Sequence, residues 1–269
     1  MLDCAGLTIP EIERRFLGRP EPPAPGEVAA LEADPRAGAR RVAASLRRRA
    51  AESERESIRI GNMLAREEAL WARGVSYVAG VDEVGVGPFA GPVVAAAVVF
   101  APGVRVPGVR DSKRLDHARR VAIDALVRKA AIAVGVGAVE PEEIDRLNIR
   151  RAALEAMRLA ILALAIRVEY ILVDARTIPG IGIPQEPIVN GDGLVFSIAA
   201  ASIVAKVHRD AVMTAYDAEY PAYGFARHKG YGTAEHIRAL REHGPCPIHR
   251  RSFDWRGGAQ RLSTARRGF

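Results

Sequence analysis

The sequence has only two cysteines in 269 residues, and aromatic side chains make up only 6% of it. Cys4 and Cys246 cannot form a disulfide framework, and their spacing does not match a zinc motif. No run of 18 uncharged residues is free of glycine and proline, so the sequence predicts no membrane span. The first residues lack the charged and apolar regions of a secretory signal. Together these absences predict a cytoplasmic protein that does not depend on disulfides.

What is present is the composition of an ordinary globular protein, with 49% hydrophobic and 26% charged residues. The formal net charge is +7, and the last 43 residues account for all of it, since they hold ten basic residues and three acidic ones. A local basic surface is a common footprint of nucleic-acid binding. A solvated, partly disordered basic tail over residues 256–269 is the alternative explanation.

The composition of the chain changes near residue 70. Residues 1–70 are rich in Arg, Glu and other helix formers, and a cluster of prolines interrupts them from Pro20 to Pro25. Because proline cannot continue a helix, this cluster is predicted to link two helices. We therefore predict three parts: a helical N-terminal extension (1–70), a catalytic domain with a C-terminal helical basic segment (71–255), and a basic tail (256–269).

From residue 75 onward, short β-branched runs alternate with helical patterns, which indicates an α/β fold with a mixed sheet flanked by helices. The predicted strands are Val75–Val81, Pro92–Phe100, Ala131–Val139 and Glu169–Val173, with a further short apolar segment at Pro187–Val189. The predicted helices are Asp116–Lys129, Ile149–Val168 and Ser197–Tyr220. The glycine-rich stretch Glu83–Gly91 is predicted to be the turn between the first two strands.

Four acidic residues follow apolar segments of this predicted sheet. Asp82 and Glu83 end the first strand, Asp174 ends a later strand, and Asp192 lies in an Asn-Gly-Asp turn. Ligands of open α/β sheets gather where strand ends meet, so these four carboxylates are candidates for one site. Oxygen donors without histidine or cysteine favour Mg²⁺ or Mn²⁺ over zinc. The pattern predicts a divalent-metal site that acts on a phosphodiester.

Each of these acids also has an ordinary structural explanation. A lone Asp after a strand is more often a turn former or helix cap than a metal ligand, which applies to Asp174 and more strongly to Asp192. The adjacent pair Asp82-Glu83 is harder to explain in that way, because burying two neighbouring carboxylates is costly without a cation. Spacing alone therefore leaves a candidate metal site.

Several ordered motifs carry a more specific signal. They are Ala79-Gly80-Val81-Asp82-Glu83-Val84-Gly85, Asp111-Ser112-Lys113, Val173-Asp174, Gly191-Asp192, Ala200-Ala201-Ser202-Ile203-Val204-Ala205-Lys206-Val207 and His228-Lys229-Gly230-Tyr231. This set, which runs from about Tyr77 to Phe253, resembles bacterial ribonuclease HII, the type 2 ribonuclease H. The resemblance implies a ribonuclease H-like fold. Some members carry a helical N-terminal extension, and residues 1–70 are similar to it in size and character.

The resemblance also implies an activity. Enzymes of this family hydrolyse RNA paired with DNA and cut on the 5′ side of a single ribonucleotide in duplex DNA, leaving 3′-hydroxyl and 5′-phosphate ends. The implied mechanism uses two divalent ions, Mn²⁺ or Mg²⁺. The expected partners are RNA–DNA hybrids and duplex DNA that contains ribonucleotides, with no membrane, and the protein is expected to be a monomer.

By the same resemblance, the metal-binding carboxylates fall on Asp82, Glu83, Asp174 and Asp192. Asp210 competes with Asp192 for the fourth role. We prefer Asp192, because its place after a short apolar segment matches the family's pattern. Asp210 lies on the long helix and would more simply support the site or cap a neighbour.

The substrate-binding residues come from the same resemblance. They are Gly85, Val86, Gly87, Tyr231, Lys229, His228, Lys206 and Ser202. The ring of Tyr231 would pack against the sugar next to the ribonucleotide, while Lys229 and His228 would meet phosphates. Lys206 and Ser202 have helix packing as an equally good alternative role.

One residue departs from the family's pattern, which usually has Gly-Arg-Gly where this chain has Gly85-Val86-Gly87. The 2′-hydroxyl is the group that distinguishes RNA from DNA, and the backbone amides and carbonyls of this turn are well suited to contact it. Val86 cannot offer the arginine's cation to a phosphate. We therefore predict weaker substrate binding with preserved specificity, unless another arginine has taken over the contact.

Two other classes of protein stay open from the sequence. One is another metal-dependent nuclease of the same general fold, which cleavage of RNA-free DNA would favour. The other is a catalytically weak nucleic-acid-binding protein, which metal-dependent turnover that is lost in Asp82→Asn would exclude.

Overall fold

The computed structural model describes residues 6–19 and 23–256. Its helices are α1 (Ile9–Leu17), α2 (Pro25–Ala33), α3 (Ala37–Trp71), α4 (His117–Ala130), α5 (Pro141–Leu147), α6 (Ile149–Leu162), α7 (Gly191–Leu194), α8 (Phe196–Glu219), α9 (Phe225–His228) and α10 (Ala234–His243). Its strands are β1 (Val78–Val84), β2 (Val93–Val99), β3 (Ala133–Val139), β4 (Tyr170–Asp174) and β5 (Gln185–Ile188). The chain divides into two compact units, Met1–Gly61 and Asn62–Phe269.

The first unit is helical, as the composition of residues 1–70 predicts. At the start of α1, the carboxylate of Glu11 accepts hydrogen bonds from the Thr8 backbone N–H at 2.8 Å and the Thr8 hydroxyl at 2.7 Å, which satisfies donors at the helix N-terminus. The unit has its own hydrophobic core, which consists of Ile12, Phe16, Leu31, Ala39, Val42, Ala43 and Leu46. Residues 20–22 of the predicted linker lie outside the described part of the chain, as do residues 257–269 of the predicted tail.

The second unit contains a five-stranded sheet with the strand order β3-β2-β1-β4-β5. β2 runs antiparallel to both β1 and β3, whereas β4 runs parallel to β1 and β5. Helices α6 and α8 pack against the sheet. The predicted mixed sheet with flanking helices and a helical N-terminal region is therefore confirmed.

A close approach between β1 and α8 shapes the centre of this unit. A Cβ atom at Gly80 would lie 2.2 Å from the carbonyl carbon of Ser197, so only glycine allows the two elements to come this close. The small residues Ala199, Ala200, Ala201 and Ser202 that follow on α8 are all buried. α8 therefore lies directly against the strand that carries Asp82 and Glu83.

The last turns of α3 belong to the second unit. Glu67 is buried, and its Oε1 accepts hydrogen bonds from the backbone N–H of Ser197 at 2.8 Å and from its hydroxyl at 2.7 Å. This carboxylate satisfies a donor in the first turn of α8, whose preceding residue Val195 has no polar side chain. Leu70 packs in a core cluster with Val78 and residues of β4, β5 and α8. The domain boundary that we expect near residue 70 stays a prediction.

Two predicted elements need correction. β1 extends to Val84, so Asp82 and Glu83 lie within the strand, because β2 continues to pair with them through Ala96 and Ala95. The predicted helix Ile149–Val168 is too long: α6 ends at Leu162. Leu164 and Val168 are buried in the core as the chain turns back toward β4, and their apolar character extended the helical pattern past the end of α6.

Within the described residues, the structure has no helix that is both long enough and apolar enough to cross a membrane.

Candidate metal and nucleic-acid site

Three carboxylates converge where β1 and β4 lie side by side. β4 runs parallel to β1 with Val173 opposite Val81, so Asp174 lies beside Asp82. One oxygen from each of Asp82, Glu83 and Asp174 lies within 4.8 Å of the other two. The Glu83 Oε2 atom is buried and has no hydrogen-bond partner in the described part of the chain. Such a cluster of oxygen donors suits a hard divalent cation.

The fourth acidic residue, Asp192, lies on the short helix α7 next to this cluster. The backbone N–H of Gly191 donates to Asp174 Oδ1 at 2.7 Å, which ties the start of α7 to the end of β4. Asp192 is 8% exposed, and its Oδ2 accepts a hydrogen bond from Lys113 Nζ at 2.8 Å. The charge of Asp192 raises the pKa of both Asp82 and Asp174, so it lies within electrostatic range of both.

Burial and mutual repulsion dominate the electrostatics of the site. Burial, followed by the charges of Glu83 and Asp174, raises the pKa of Asp82 well above its ordinary value. Burial and the charge of Asp174 likewise raise the pKa of Glu83 to about 7. Lys113 opposes these effects, because its ammonium lowers the pKa of Glu83 and Asp174. The protein thus holds carboxylates together at a cost that a bound cation would remove.

The competitor Asp210 has a different environment. It is 4% exposed, and it accepts hydrogen bonds from Lys206 Nζ at 2.6 Å and Arg120 Nη1 at 3.5 Å. Two cations therefore neutralise Asp210 in place, and it is not a member of the converging carboxylate group. Asp192 is not a member of that group either and pairs with Lys113, so the choice of Asp192 as the fourth carboxylate stays a prediction.

The glycine turn lies immediately after β1. Gly85 has φ +88°, and a Cβ there would lie 2.3 Å from the Nε atom of Arg209, so the position requires glycine. The carbonyls of Gly85 and Val86 accept hydrogen bonds from Arg250 at 2.6 and 3.1 Å. We expected both amides and carbonyls to be available to a substrate; these two carbonyls face inward to Arg250. The Val86 side chain is partly buried against the main core cluster.

Tyr231 lies next to this turn. Its side chain is 45% exposed, and its Cε1 atom would be 3.9 Å from a Cβ at Gly87. Its backbone is held by His236, whose Nδ1 donates to the Tyr231 carbonyl at 2.9 Å. The predicted sugar-packing residue and the predicted 2′-hydroxyl-reading turn therefore face the same space.

Two residues of the same loop differ in environment, and only His228 lies where a phosphate contact is not favoured, whereas the predicted contact of Lys229 stays a prediction. His228 is buried; its Nε2 donates to Tyr223 O at 2.8 Å, and its Nδ1 accepts from the Gly230 N–H at 3.2 Å. With both ring nitrogens engaged and its pKa lowered by burial, His228 is a neutral structural residue. The Lys229 ammonium donates to Thr214 Oγ1 and Ala226 O at 2.7 and 2.8 Å.

Ser202 and Lys206, the two substrate-binding residues predicted on α8, point into the protein. The Ser202 hydroxyl is buried, lies 2.9 Å from Ser112 Oγ, and lowers the pKa of the neighbouring Asp82 carboxyl, against the larger effect of burial. Lys206 is half-buried and pairs with Asp210. The environment of Ser202 and Lys206 therefore fits their alternative role, which is helix packing.

Three residues that contribute to this site are not apparent from the sequence. Lys113 was part of a recognised motif, but nothing in the sequence placed it beside Asp192. Arg250 counted toward the basic C-terminal surface, yet it is 1% exposed. The sequence of α8 predicts close helix packing and does not predict the contacts of Arg209. Each of these depends on pairing between segments that are distant in sequence.

Comparison with known proteins agrees with this fold. The solved ribonuclease H2 of Pyrococcus horikoshii OT3 superposes with a TM-score of 0.58 at 26% identity, covering 72% of this chain and 100% of that one. The likeness defines an enzyme with a ribonuclease H-like fold.

Sequence comparison makes the assignment specific. A family model described as Ribonuclease HII matches residues 79–255, and one described as Ribonuclease HII N-terminal domain matches residues 8–71. Ribonuclease HII of Myxococcus xanthus is 47% identical over 254 residues, covering 94% of this chain and 86% of that protein. Ribonuclease HII of Moorella thermoacetica is 52% identical over 205 residues, covering 76% of this chain and 98% of that protein. The chain belongs to the ribonuclease HII family, the type 2 ribonucleases H, which confirms the resemblance read from the motifs.

Proposed function

We propose that this protein hydrolyses the RNA strand of RNA–DNA hybrids and cuts duplex DNA on the 5′ side of a single embedded ribonucleotide, leaving 3′-hydroxyl and 5′-phosphate ends. One observation carries the proposal. Asp82, Glu83 and Asp174 bring ligand oxygens within 4.8 Å of one another, and a buried oxygen of Glu83 has no partner among the described residues. Phosphodiester hydrolysis is the chemistry that such a carboxylate cluster serves in a nuclease of this fold.

The donor set fits divalent metal ions. Asp82, Glu83, Asp174 and Asp192 would hold two ions, Mg²⁺ or Mn²⁺, since the donors are all carboxylate oxygens. When bound, the ions would activate a water and stabilise the departing 3′ oxygen. The chain itself fixes two of the carboxylates, because Gly191 donates a hydrogen bond to Asp174 and Lys113 donates one to Asp192.

Recognition of RNA has to use the 2′-hydroxyl, because deoxyribose lacks only that group. The Gly85–Gly87 turn follows the metal-binding strand directly, and the Tyr231 ring lies beside it. We propose that the turn contacts the 2′-hydroxyl while Tyr231 packs on the neighbouring sugar. Together these two contacts would hold a single ribonucleotide at a fixed distance from the carboxylates.

Affinity would come mainly from phosphate contacts by exposed arginines of the C-terminal segment, such as Arg238, Arg241 and Arg251. Such binding weakens as salt increases, because phosphate neutralisation releases counterions. Arg250 does not belong to this exposed set, since it is buried.

A cleavage assay tests the proposed function directly. The substrate is duplex DNA with one ribonucleotide, incubated with Mg²⁺ or Mn²⁺, and the position and end chemistry of the cut are mapped. We expect one cut 5′ of the ribonucleotide in wild type and none in Asp82→Asn. Equal cleavage of an all-DNA duplex would instead indicate another nuclease of this fold, and turnover without divalent metal would contradict the proposal.

A further inference from the structure

We infer that Arg250 is a positioning residue for ribonucleotide recognition: it turns the backbone N–H groups of Val86 and Gly87 outward, into the space beside the Tyr231 ring. This inference rests on the function proposed above. Arg250 is buried and, in the described part of the chain, hydrogen bonds only to backbone carbonyls.

Arg250 is the centre of a dense set of hydrogen bonds to the turn that follows β1. It is 1% exposed. Its Nη2 donates to Gly85 O at 2.6 Å and its Nη1 to Val86 O at 3.1 Å. Further hydrogen bonds reach Pro88 O at 2.8 Å and Gly91 O at 2.8 and 3.0 Å. One planar guanidinium thus fixes four carbonyls of a single loop, which a point-charge ammonium cannot do.

The direction of the amides follows from these carbonyl contacts. In a trans peptide unit the C=O and the next N–H point in opposite directions. Because the carbonyls of Gly85 and Val86 point at Arg250, the N–H groups of Val86 and Gly87 point away from it. No residue in 6–19 or 23–256 accepts a hydrogen bond from these two N–H groups. They are donors held in a fixed direction and left available to a ligand.

The N–H groups of Val86 and Gly87 face a space that the predicted sugar-packing residue, Tyr231, borders. Gly87 is exposed and lies next to the Tyr231 ring. The two loops are joined by the Phe89 N–H, which donates to Gly230 O at 2.9 Å. Arg209 joins them a second time, since it donates to Ala90 O and Lys229 O, both at 3.0 Å. The outward amides therefore keep a constant relation to Tyr231.

The charge behind the turn adds to this arrangement. Arg209 and Arg250 are both buried, and within the part of the chain that the structure describes neither forms an ion pair with a carboxylate. Two buried cations that bond to carbonyls place positive charge behind the turn. An electron-rich oxygen is the ligand that such a site favours.

The inference is tested by steady-state kinetics with two duplexes of identical sequence. One contains a single ribonucleotide and is the substrate, and the other is all-DNA and is a competitive inhibitor. Both present the same phosphates, so a contact to the 2′-oxygen changes KM and leaves the Ki of the all-DNA duplex unaltered. The variant is Arg250→Lys, which keeps the charge and cannot span four carbonyls.

In Arg250→Lys we expect KM for the ribonucleotide duplex to rise about tenfold, the equivalent of one well-placed hydrogen bond. kcat and the Ki of the all-DNA duplex should stay within about twofold of wild type. Arg128→Lys is the matched control, because Arg128 is an exposed arginine paired with Asp124 on α4, outside both loops. It should leave all three constants unchanged.

If Arg250→Lys does not fold, the wild-type protein provides a second measurement. The amide ¹⁵N–¹H signal of Gly87, recorded without divalent metal, should shift on addition of the ribonucleotide duplex and much less with the all-DNA duplex. Equal shifts with both duplexes overturn the inference.

The outcomes separate the inference from the function on which it rests. A wild-type protein that does not cut the ribonucleotide duplex contradicts the proposed function. Wild-type cleavage combined with an unchanged KM in folded Arg250→Lys overturns only the role of Arg250. A parallel rise of KM and Ki also overturns it, since that result indicates lost phosphate contacts or general loosening.

Discussion

Asp82 and Asp210 are the same residue type, are 5% and 4% exposed, and sit in opposite electrostatic environments. Asp82 lies among other carboxylates, and burial together with their charges raises its pKa. Asp210 lies between Arg120 and Lys206. Burial of a charge is tolerated only where something compensates it, so the two residues depend on different partners.

The substitution Asp82→Asn should therefore stabilise the metal-free protein while it abolishes cleavage. Removing one charge from the cluster relieves repulsion and desolvation, and we expect an increase of roughly 1–3 kcal/mol in the free energy of unfolding. Thermal or urea denaturation in EDTA measures it. The matched variant Asp210→Asn leaves Arg120 and Lys206 without their carboxylate and should lower stability. Destabilisation by both substitutions would contradict this interpretation of the carboxylate cluster.

Val86→Arg tests the one departure from the family's turn. The Val86 side chain is partly buried against the core cluster, so an arginine has to extend outward from the turn. We expect a lower KM for the ribonucleotide duplex, by up to about tenfold for one added phosphate contact, with preserved discrimination against all-DNA duplex. The measurement compares both duplexes at several salt concentrations. Unaltered affinity and rate would show that Val86 does not limit binding.

At the scale of elements, α10 and the segment after it are joined by a chain of neutral histidines. His236 Nδ1 faces the Tyr231 carbonyl, which can only accept, so that nitrogen carries the proton. His236 Nε2 then accepts from His249 Nε2–H at 3.0 Å, and His249 Nδ1 accepts from the Cys246 N–H at 2.9 Å. This arrangement of protons satisfies these three contacts, and the chain ends at the backbone of Tyr231.

This chain predicts a loss of stability in acid. Burial lowers the pKa of His236 and of His249 to about 4, whereas an unfolded histidine has a pKa near 6.5. Between these values the unfolded chain binds more protons, so the contribution is complete above about pH 6.5 and is lost as the pH falls toward 4. For each histidine this amounts to about 2 kcal/mol by pH 5.

The raised pKa values of Asp82 and Glu83 act in the opposite direction, so the comparison has to be made between variants. The stability advantage of wild type over His249→Gln, measured by denaturation, should shrink between pH 7 and pH 5. His243→Gln is the control on α10, because the His243 side chain is 41% exposed. If the stability difference between wild type and His249→Gln stays constant with pH, the chain of neutral histidines is contradicted.

Most of the central elements were predictable from local pattern. The β-branched runs of β1, β2, β3 and β4 gave the strands to within a few residues, since buried strands have a distinctive composition. The end of α6 was not predictable in this way, because Leu164 and Val168 are apolar for reasons of burial rather than helical periodicity. Short helices such as α5, α7 and α9 are too brief to show a period.

The candidate site was only half predictable for a related reason. The carboxylates could be found because acids after apolar runs are conspicuous in sequence, and the resemblance to ribonuclease HII ordered them. The contacts of Lys113 and Arg250 connect segments far apart in the chain. The resemblance to the family predicts a phosphate contact for His228, and only the packing around it shows that both nitrogens are engaged.

At the scale of the whole molecule, the contacts of Glu67 bear on where the chain can be divided. A protein that starts at Asn62 keeps Glu67 and Leu70, and we expect it to fold and to cleave. One that starts at Ala72 loses the acceptor for Ser197 and a buried leucine, at a cost of roughly 2–5 kcal/mol. Denaturation and cleavage assays of the two proteins make the comparison. Equal stability would show that the end of α3 is dispensable.

The parallel pairing of β1 with β4 also bears on how the protein is made. Asp82 and Glu83 leave the ribosome long before Asp174 and Asp192, and parallel strands cannot pair until the intervening crossover is complete. A nascent chain therefore carries Asp82 and Glu83 before the carboxylates of Asp174 and Asp192 are present. Tight binding of divalent metal would then require a chain that has been synthesised past Asp192. The time at which this binding appears during translation would report that β4 has paired with β1.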